Sequence, residues 1–105
     1  MNDWIVEFSN DYGNEQTLTC PECSEGYLHH DTITVYSRSE DETATFVSEI
    51  GHKTTVAQIL PSSKTNNPSA RRSGLSIGFW CETCDFRGTL KIAQHKGNTN
   101  VWWSR

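Results

Sequence analysis

The clearest hydrophobic pattern in this chain is Leu75-Ser76-Ile77-Gly78-Phe79-Trp80-Cys81, in which Leu75, Ile77 and Phe79 share one face and lead into Cys81. Alternation of this kind predicts a half-buried strand. Thr32 to Ser37 repeats it with Ile33 and Val35, in a stretch rich in β-branched residues. Thr43 to Ile50 and Thr54 to Leu60 flank Gly51-His52-Lys53 and predict a β-hairpin. Ser39 with Glu42 also fits a capping box that would start a helix through Ile50. Thr43, Thr45, Phe46 and Val47 favour the strand instead. Thr89 to Gln94 places Leu90 and Ile92 inward, His95 to Asn98 makes a turn, and Thr99 to Trp103 closes as a last strand. The C-terminal half therefore reads as a three-stranded antiparallel meander.

At the other end, Trp4 to Phe8 is predicted as a short first strand, ended by the turn-forming run Ser9 to Asn14. Pro61 to Gly74 lacks apolar patterning and contains Pro, Ser and Asn, which predicts a long loop. The expected fold class is mainly β, an elaborated antiparallel sheet with little or no helix, in one domain over residues 1–105.

Composition sharpens this picture. Leu, Ile, Val and Phe together number 20 of 105 residues, too few for a large core. A chain of this size usually needs a staple. All four cysteines fall in two short pairs, Cys20-Pro21-Glu22-Cys23 and Cys81-Glu82-Thr83-Cys84. Two such pairs supply four thiolates, a complete tetrahedral shell for one Zn²⁺. Joining them closes a loop of 57 residues between Cys23 and Cys81, which by analogy with disulfides is worth roughly 4 kcal/mol. Gly26 and Gly88 follow the pairs, where a turn would need positive φ or a close backbone approach.

Disulfides are the alternative. Met1-Asn2-Asp3-Trp4 has neither a basic nor an apolar signal region, so a reducing cytoplasm and a metal are expected. No apolar run reaches transmembrane length. Cys20 and Cys23 have thioredoxin-like spacing, but redox chemistry needs the pair at a helix N-terminus after a strand, and strands follow here. The net charge of −4 argues against sequence-independent nucleic-acid binding over the whole surface.

The stretch from Asn67 to Trp103 resembles small zinc-ribbon proteins of bacteriophages and prophages, mostly without assigned function. The resemblance rests on Asn67-Pro68-Ser69-Ala70-Arg71-Arg72, on Phe79-Trp80-Cys81-Glu82-Thr83-Cys84, and on Leu90 to Thr99 with the terminal Trp. It implies a zinc ribbon, a structural zinc on Cys20, Cys23, Cys81 and Cys84, and a bacterial host cytoplasm. It brings no enzyme activity. Ser24 departs from the pattern, standing where many such knuckles have Gly.

His29 and His30 lie near the first knuckle as surplus donors, and His52 falls in a turn. No nucleophile–base arrangement, phosphate loop or carboxylate pair stands out, and a closed Cys₄ shell leaves no position for activated water. The expectation is a non-enzymatic protein. Arg71 and Arg72 with Lys64 form the densest positive cluster; Lys91, His95, Lys96 and Arg105 form a second near Trp102 and Trp103. These residues suit a protein interface, with host transcription, replication or defence machinery as the partner class. The alternative is a nucleic-acid-binding ribbon using the Arg71/Arg72 loop and the C-terminal hairpin. The bland alternative pairs both arginines with Glu40, Asp41 or Glu42 and sinks the tryptophans in the core. Adjacent on one strand, Trp102 and Trp103 must face opposite ways.

Overall fold

The computed structural model describes residues 5–12 and 15–105, with the backbone alone at residues 10–12. The strands are β1 (Phe8–Tyr12), β2 (Glu15–Leu18), β3 (Leu28–Ser37), β4 (Ala44–Gly51), β5 (Thr54–Pro61), β6 (Gly74–Cys81), β7 (Arg87–His95) and β8 (Asn98–Ser104). One 3₁₀ turn covers Ser62–Lys64, and the described residues contain no α-helix. β1 and β2 form a separate hairpin; the other six strands make one antiparallel sheet in the order β5-β4-β3-β6-β7-β8. The fold is mainly β and antiparallel, as the alternation requires.

The sheet is two meanders, β3-β4-β5 and β6-β7-β8, joined where β3 pairs with β6. Residues 62–73 carry the chain from the outer edge back to the centre, across the ends of β4 and β3. This loop is pinned rather than a free excursion. Ser62 N–H donates to the Thr43 carbonyl at 2.8 Å, Arg38 Nη1 to the Ala70 carbonyl at 3.3 Å, and Ser69 Oγ to the Gln94 carbonyl at 2.8 Å. Gly74 lies so close under Asn67 and Pro68 that a Cβ there would collide with both.

Cross-strand partners share a face, so the register sorts the side chains. On the loop side, Val47, Tyr36, Gly74 and Ala93 form one buried row, with buried Thr45 beside it. Thr45 Oγ1 meets Ser62 Oγ at 2.7 Å, which satisfies the buried hydroxyl. On the opposite face, Leu90 pairs with Trp103 and packs with Phe86, Cys20 and Cys81 into the main core. Phe79 and Phe86 meet the Trp103 ring edge-to-face at 5.3 and 5.4 Å. Two thin cores on opposite faces suit a chain this poor in aliphatic residues.

Two local expectations change, and one open alternative is decided for the favoured strand. Ile5 to Glu7 are not a strand, and Trp4 lies outside the described residues; the strand instead spans Phe8–Tyr12, and apart from Phe8 it falls within the stretch expected to turn. Pairing with Glu15–Leu18 outweighs the turn propensity of Ser9 to Asp11, and the remaining Gly13-Asn14 lies outside the described residues. The helix through Ile50 does not form. Its capping-box bond does, from Ser39 N–H to Glu42 Oε1 at 3.1 Å, but Asp41 has φ 56° and turns the chain into β4. Third, β3 begins at Leu28, earlier than Thr32, and absorbs an extra residue by a bulge between His30 and Ile33.

Trp103 is fully buried and Trp102 half-buried, which settles their opposite orientations. Trp103→Ala should lower stability by about 3–5 kcal/mol and Trp102→Ala by less than half as much, read as the shift in urea midpoint at constant slope.

Candidate metal centre

Each cysteine pair sits in a tight turn at the same end of the sheet. The first turn follows β2 and precedes β3; the second joins β6 to β7. The turns are built alike. Cys20 N–H donates to the Glu25 carbonyl at 2.9 Å, and Cys81 N–H to the Phe86 carbonyl at 3.1 Å. Pairing of Leu28 with Cys81 and the Glu82 N–H bond to the Tyr27 carbonyl (3.0 Å) lock one turn against the other. Of the two readings for Gly26 and Gly88, close approach is the one realised: a Cβ would strike Thr17 at the first and the Phe86 ring at the second. The left-handed residue is Ser24, with φ 65°.

The four sulfurs converge. All lie within 4.8 Å of one another, with Cys20 Sγ to Cys84 Sγ at 3.7 Å and Cys23 Sγ to Cys81 Sγ at 3.6 Å. A tetrahedron of thiolates about 2.3 Å from a central ion has edges near 3.8 Å. A disulfide needs sulfurs about 2.05 Å apart, and all four cysteines are free thiols. The geometry fits one metal ion and no disulfide.

Backbone N–H groups already point at the sulfurs. Thr83 N–H donates to Cys81 Sγ at 3.4 Å. Burial opposes the Cys81 thiolate, but the Cys84 and Thr83 N–H groups and the neighbouring thiols outweigh it and bring Cys81 down to about 7. At Cys84 the Phe86 N–H favours the thiolate, yet burial and three adjacent thiols push the group up to about 12. At Cys23 the Glu25 N–H favours the thiolate, but burial and the Cys81 thiol raise it. Four thiolates this close need a cation to coexist, and binding one expels their protons.

Comparison with protein-family models, curated proteins and solved structures returns no match. The site is therefore interpreted from its own geometry.

The histidines stand outside the cluster of ligand atoms. His29 stacks on Trp80, with centroids 4.4 Å apart and planes 13° apart, and its Nε2 lies 3.6 Å from Glu82. His30 meets Phe79 edge-on at 6.3 Å. Arg71 and Arg72 sit at the end of the sheet remote from the sulfurs and are engaged by acids. Arg71 Nε reaches Asp41 Oδ1 at 2.8 Å, Arg71 Nη2 reaches Asp41 Oδ2 at 2.5 Å, and Arg72 Nη2 reaches Glu40 Oε1 at 2.6 Å. The bond from Arg71 holds the Asp41 carboxyl below its ordinary range. Lys91 and Trp102 are cross-strand neighbours, whereas His95 and Lys96 occupy the β7–β8 turn at the far end. Arg105 binds Glu22 beside the first knuckle and lies over the Phe86 ring, 5.8 Å from its centroid. The two positive clusters expected from the sequence are therefore spread over both ends of the sheet.

A feature missed in the sequence is an exposed apolar area on the sulfur side of the sheet. Phe46 pairs with Ile59 and Ile33 with Ile50; Leu75 pairs with Ile92, and Ile92 with Val101. All share the face of Leu90 and Trp103, and Ile59 is 67% exposed, Phe46 48%, Ile50 46% and Val101 43%. The alternation of Phe46, Ser48 and Ile50 against Thr55, Ala57 and Ile59 carried the signal.

Cys84→Ser should abolish stoichiometric metal binding and most folded protein; a fully folded, metal-free variant would refute a structural site. Because the ligands must shed protons to bind, metal retention should fall as the pH is lowered into the acid range and recover on return to alkaline pH, followed by elemental analysis after desalting. Ser24→Gly should raise stability by about 0.5 kcal/mol, since relief of the left-handed penalty slightly exceeds the added unfolded-state entropy.

Proposed function

We propose that this chain is a non-enzymatic, zinc-stapled β-sheet module that binds a protein partner through its apolar sheet face. The observation that carries the reading is that exposed face, where Phe46, Ile50, Ile59 and Val101 stand in water around half-buried Val35, Leu75 and Ile92. Contiguous apolar surface on a small domain marks an interaction site. Zinc is the assignment for the metal because tetrahedral four-sulfur sites select zinc or iron, and a closed zinc shell is structural. Such a shell offers no open position for substrate or water, which supports a binding rather than catalytic role.

The resemblance to phage zinc ribbons extends the reading to a small modulator of a host protein machinery. A protein partner is favoured over nucleic acid because Arg71 and Arg72, the densest positive pair, are committed to Glu40 and Asp41. The chain also carries a net charge of −4. Phosphate contacts would have to displace acids already in place.

The test compares wild type with a Phe46→Ser, Ile59→Ser double variant in host extract, beside elemental analysis. Both side chains are exposed, so the variant should keep one zinc per chain and a similar unfolding midpoint. The expected result is a saturable protein partner retained by wild type and lost by the variant. Equal retention by both, or tight salt-sensitive binding of single-stranded oligonucleotide instead, would overturn the reading.

A further inference from the structure

We infer that two copies of this chain join edge to edge through β5, antiparallel about a twofold axis at Ala57. β5 is an outer strand of the six-stranded sheet, and all of its residues except Leu60 are exposed. Thr54-Thr55-Val56-Ala57-Gln58-Ile59-Leu60-Pro61 contains no ionisable side chain, in a chain carrying 13 acids and 9 lysines and arginines. Natural edge strands are usually protected by charge, and this one is not. Two molecules of net charge −4 meet there without setting like charges opposite each other.

The hydrogen-bond parity fixes the register. The Ser62 N–H bond to the Thr43 carbonyl marks a bonded pair, and alternation along the ladder then turns Leu60, Gln58 and Val56 toward β4. The N–H and C=O groups of Thr55, Ala57 and Ile59 are left pointing outward. Opposed about Ala57, Ala57 faces its own copy and Thr55 faces Ile59 of the second copy, each such pair exchanging two bonds. Shifting the pairing one step toward the C-terminus would oppose Thr55 to Pro61, which has no N–H to give. The Ala57-centred register is thus the one that uses every outward N–H and C=O of Thr55, Ala57 and Ile59.

A twofold axis normal to the sheet also keeps both apolar faces on the same side. Ile59 and Phe46 of one copy then continue into those of the other, so the exposed face becomes one band across twelve strands, six from each copy. β8, at the opposite edge, is equally free of ionisable side chains, but its end is tied to the first knuckle, where Trp103 shares a core cluster with Cys20 and Arg105 binds Glu22. The inference rests on the apolar face invoked above, but its experiment reads self-association alone.

The experiment measures the mass of the zinc-loaded full chain in solution for wild type, Ala57→Lys, Ala57→Glu and Ala57→Ser. Wild type and Ala57→Ser should run at twice the chain mass. Ala57→Lys and Ala57→Glu should each run at the single mass, with dissociation constants raised about tenfold or more by the like charges at the axis. Mixing the two charged variants should restore the double mass, which also shows that both are folded. A monomeric wild type would overturn the inference while leaving partner capture by Phe46 and Ile59 intact. A dimer that survives both charged variants would place the contact elsewhere and overturn it equally.

Discussion

Everything in this molecule depends on four sulfurs meeting at one point. The two cysteine turns are 57 residues apart in the chain, and nothing between them builds a core large enough to hold the ends together unaided. An ion held by all four sulfurs would offset the entropic cost of closing that loop, and would do so beside Phe86, Leu90 and Trp103. The sulfur end is therefore also the hydrophobic end. The sulfurs are core residues in their own right, with Cys20 and Cys81 as buried as the aromatic rings they touch.

From that anchor the sheet grows outward with decreasing cover. Near the sulfurs one face is packed under the knuckles. At the other end the opposite face is packed under the crossing loop, through Pro68, Ser69 and the Thr45–Ser62 bond. Neither cover reaches across to β5 on the sulfur side, so Phe46, Ile50 and Ile59 are left in water. A six-stranded sheet built from so few aliphatic residues could have hidden them with one more element. That it does not is the physical basis of the proposed binding role.

Charge is arranged to the same effect. The arginines that look available along the sequence are spent holding the loop to the β3–β4 turn, where Arg71 and Arg72 meet Glu40 and Asp41. Being exposed, these pairs contribute little stability, but they remove the strongest positive patch. The chain keeps a net charge of −4, while the outer strands β5 and β8 carry no ionisable side chain.

The sequence by itself determined the strands of the six-stranded sheet in outline, the hairpin at Gly51-His52-Lys53, the C-terminal meander and the four cysteines as candidate ligands, because alternation and cysteine spacing are local signals. It determined that Trp102 and Trp103 oppose each other, since successive strand residues must. Local propensity misled at Ser9 to Tyr12, where pairing with β2 overrode turn-forming residues, whereas at Thr43 to Ile50 the strand propensities prevailed over the capping box, whose bond closes a turn. Only the tertiary structure decided which Trp is buried, whom Arg71 and Arg72 bind, and which apolar face stays bare. Those outcomes depend on the β5-to-β6 crossover and on which side of the sheet the knuckles fold over. Both are long-range choices, set by the energy of contacts between residues far apart in the chain, and no local pattern encodes them.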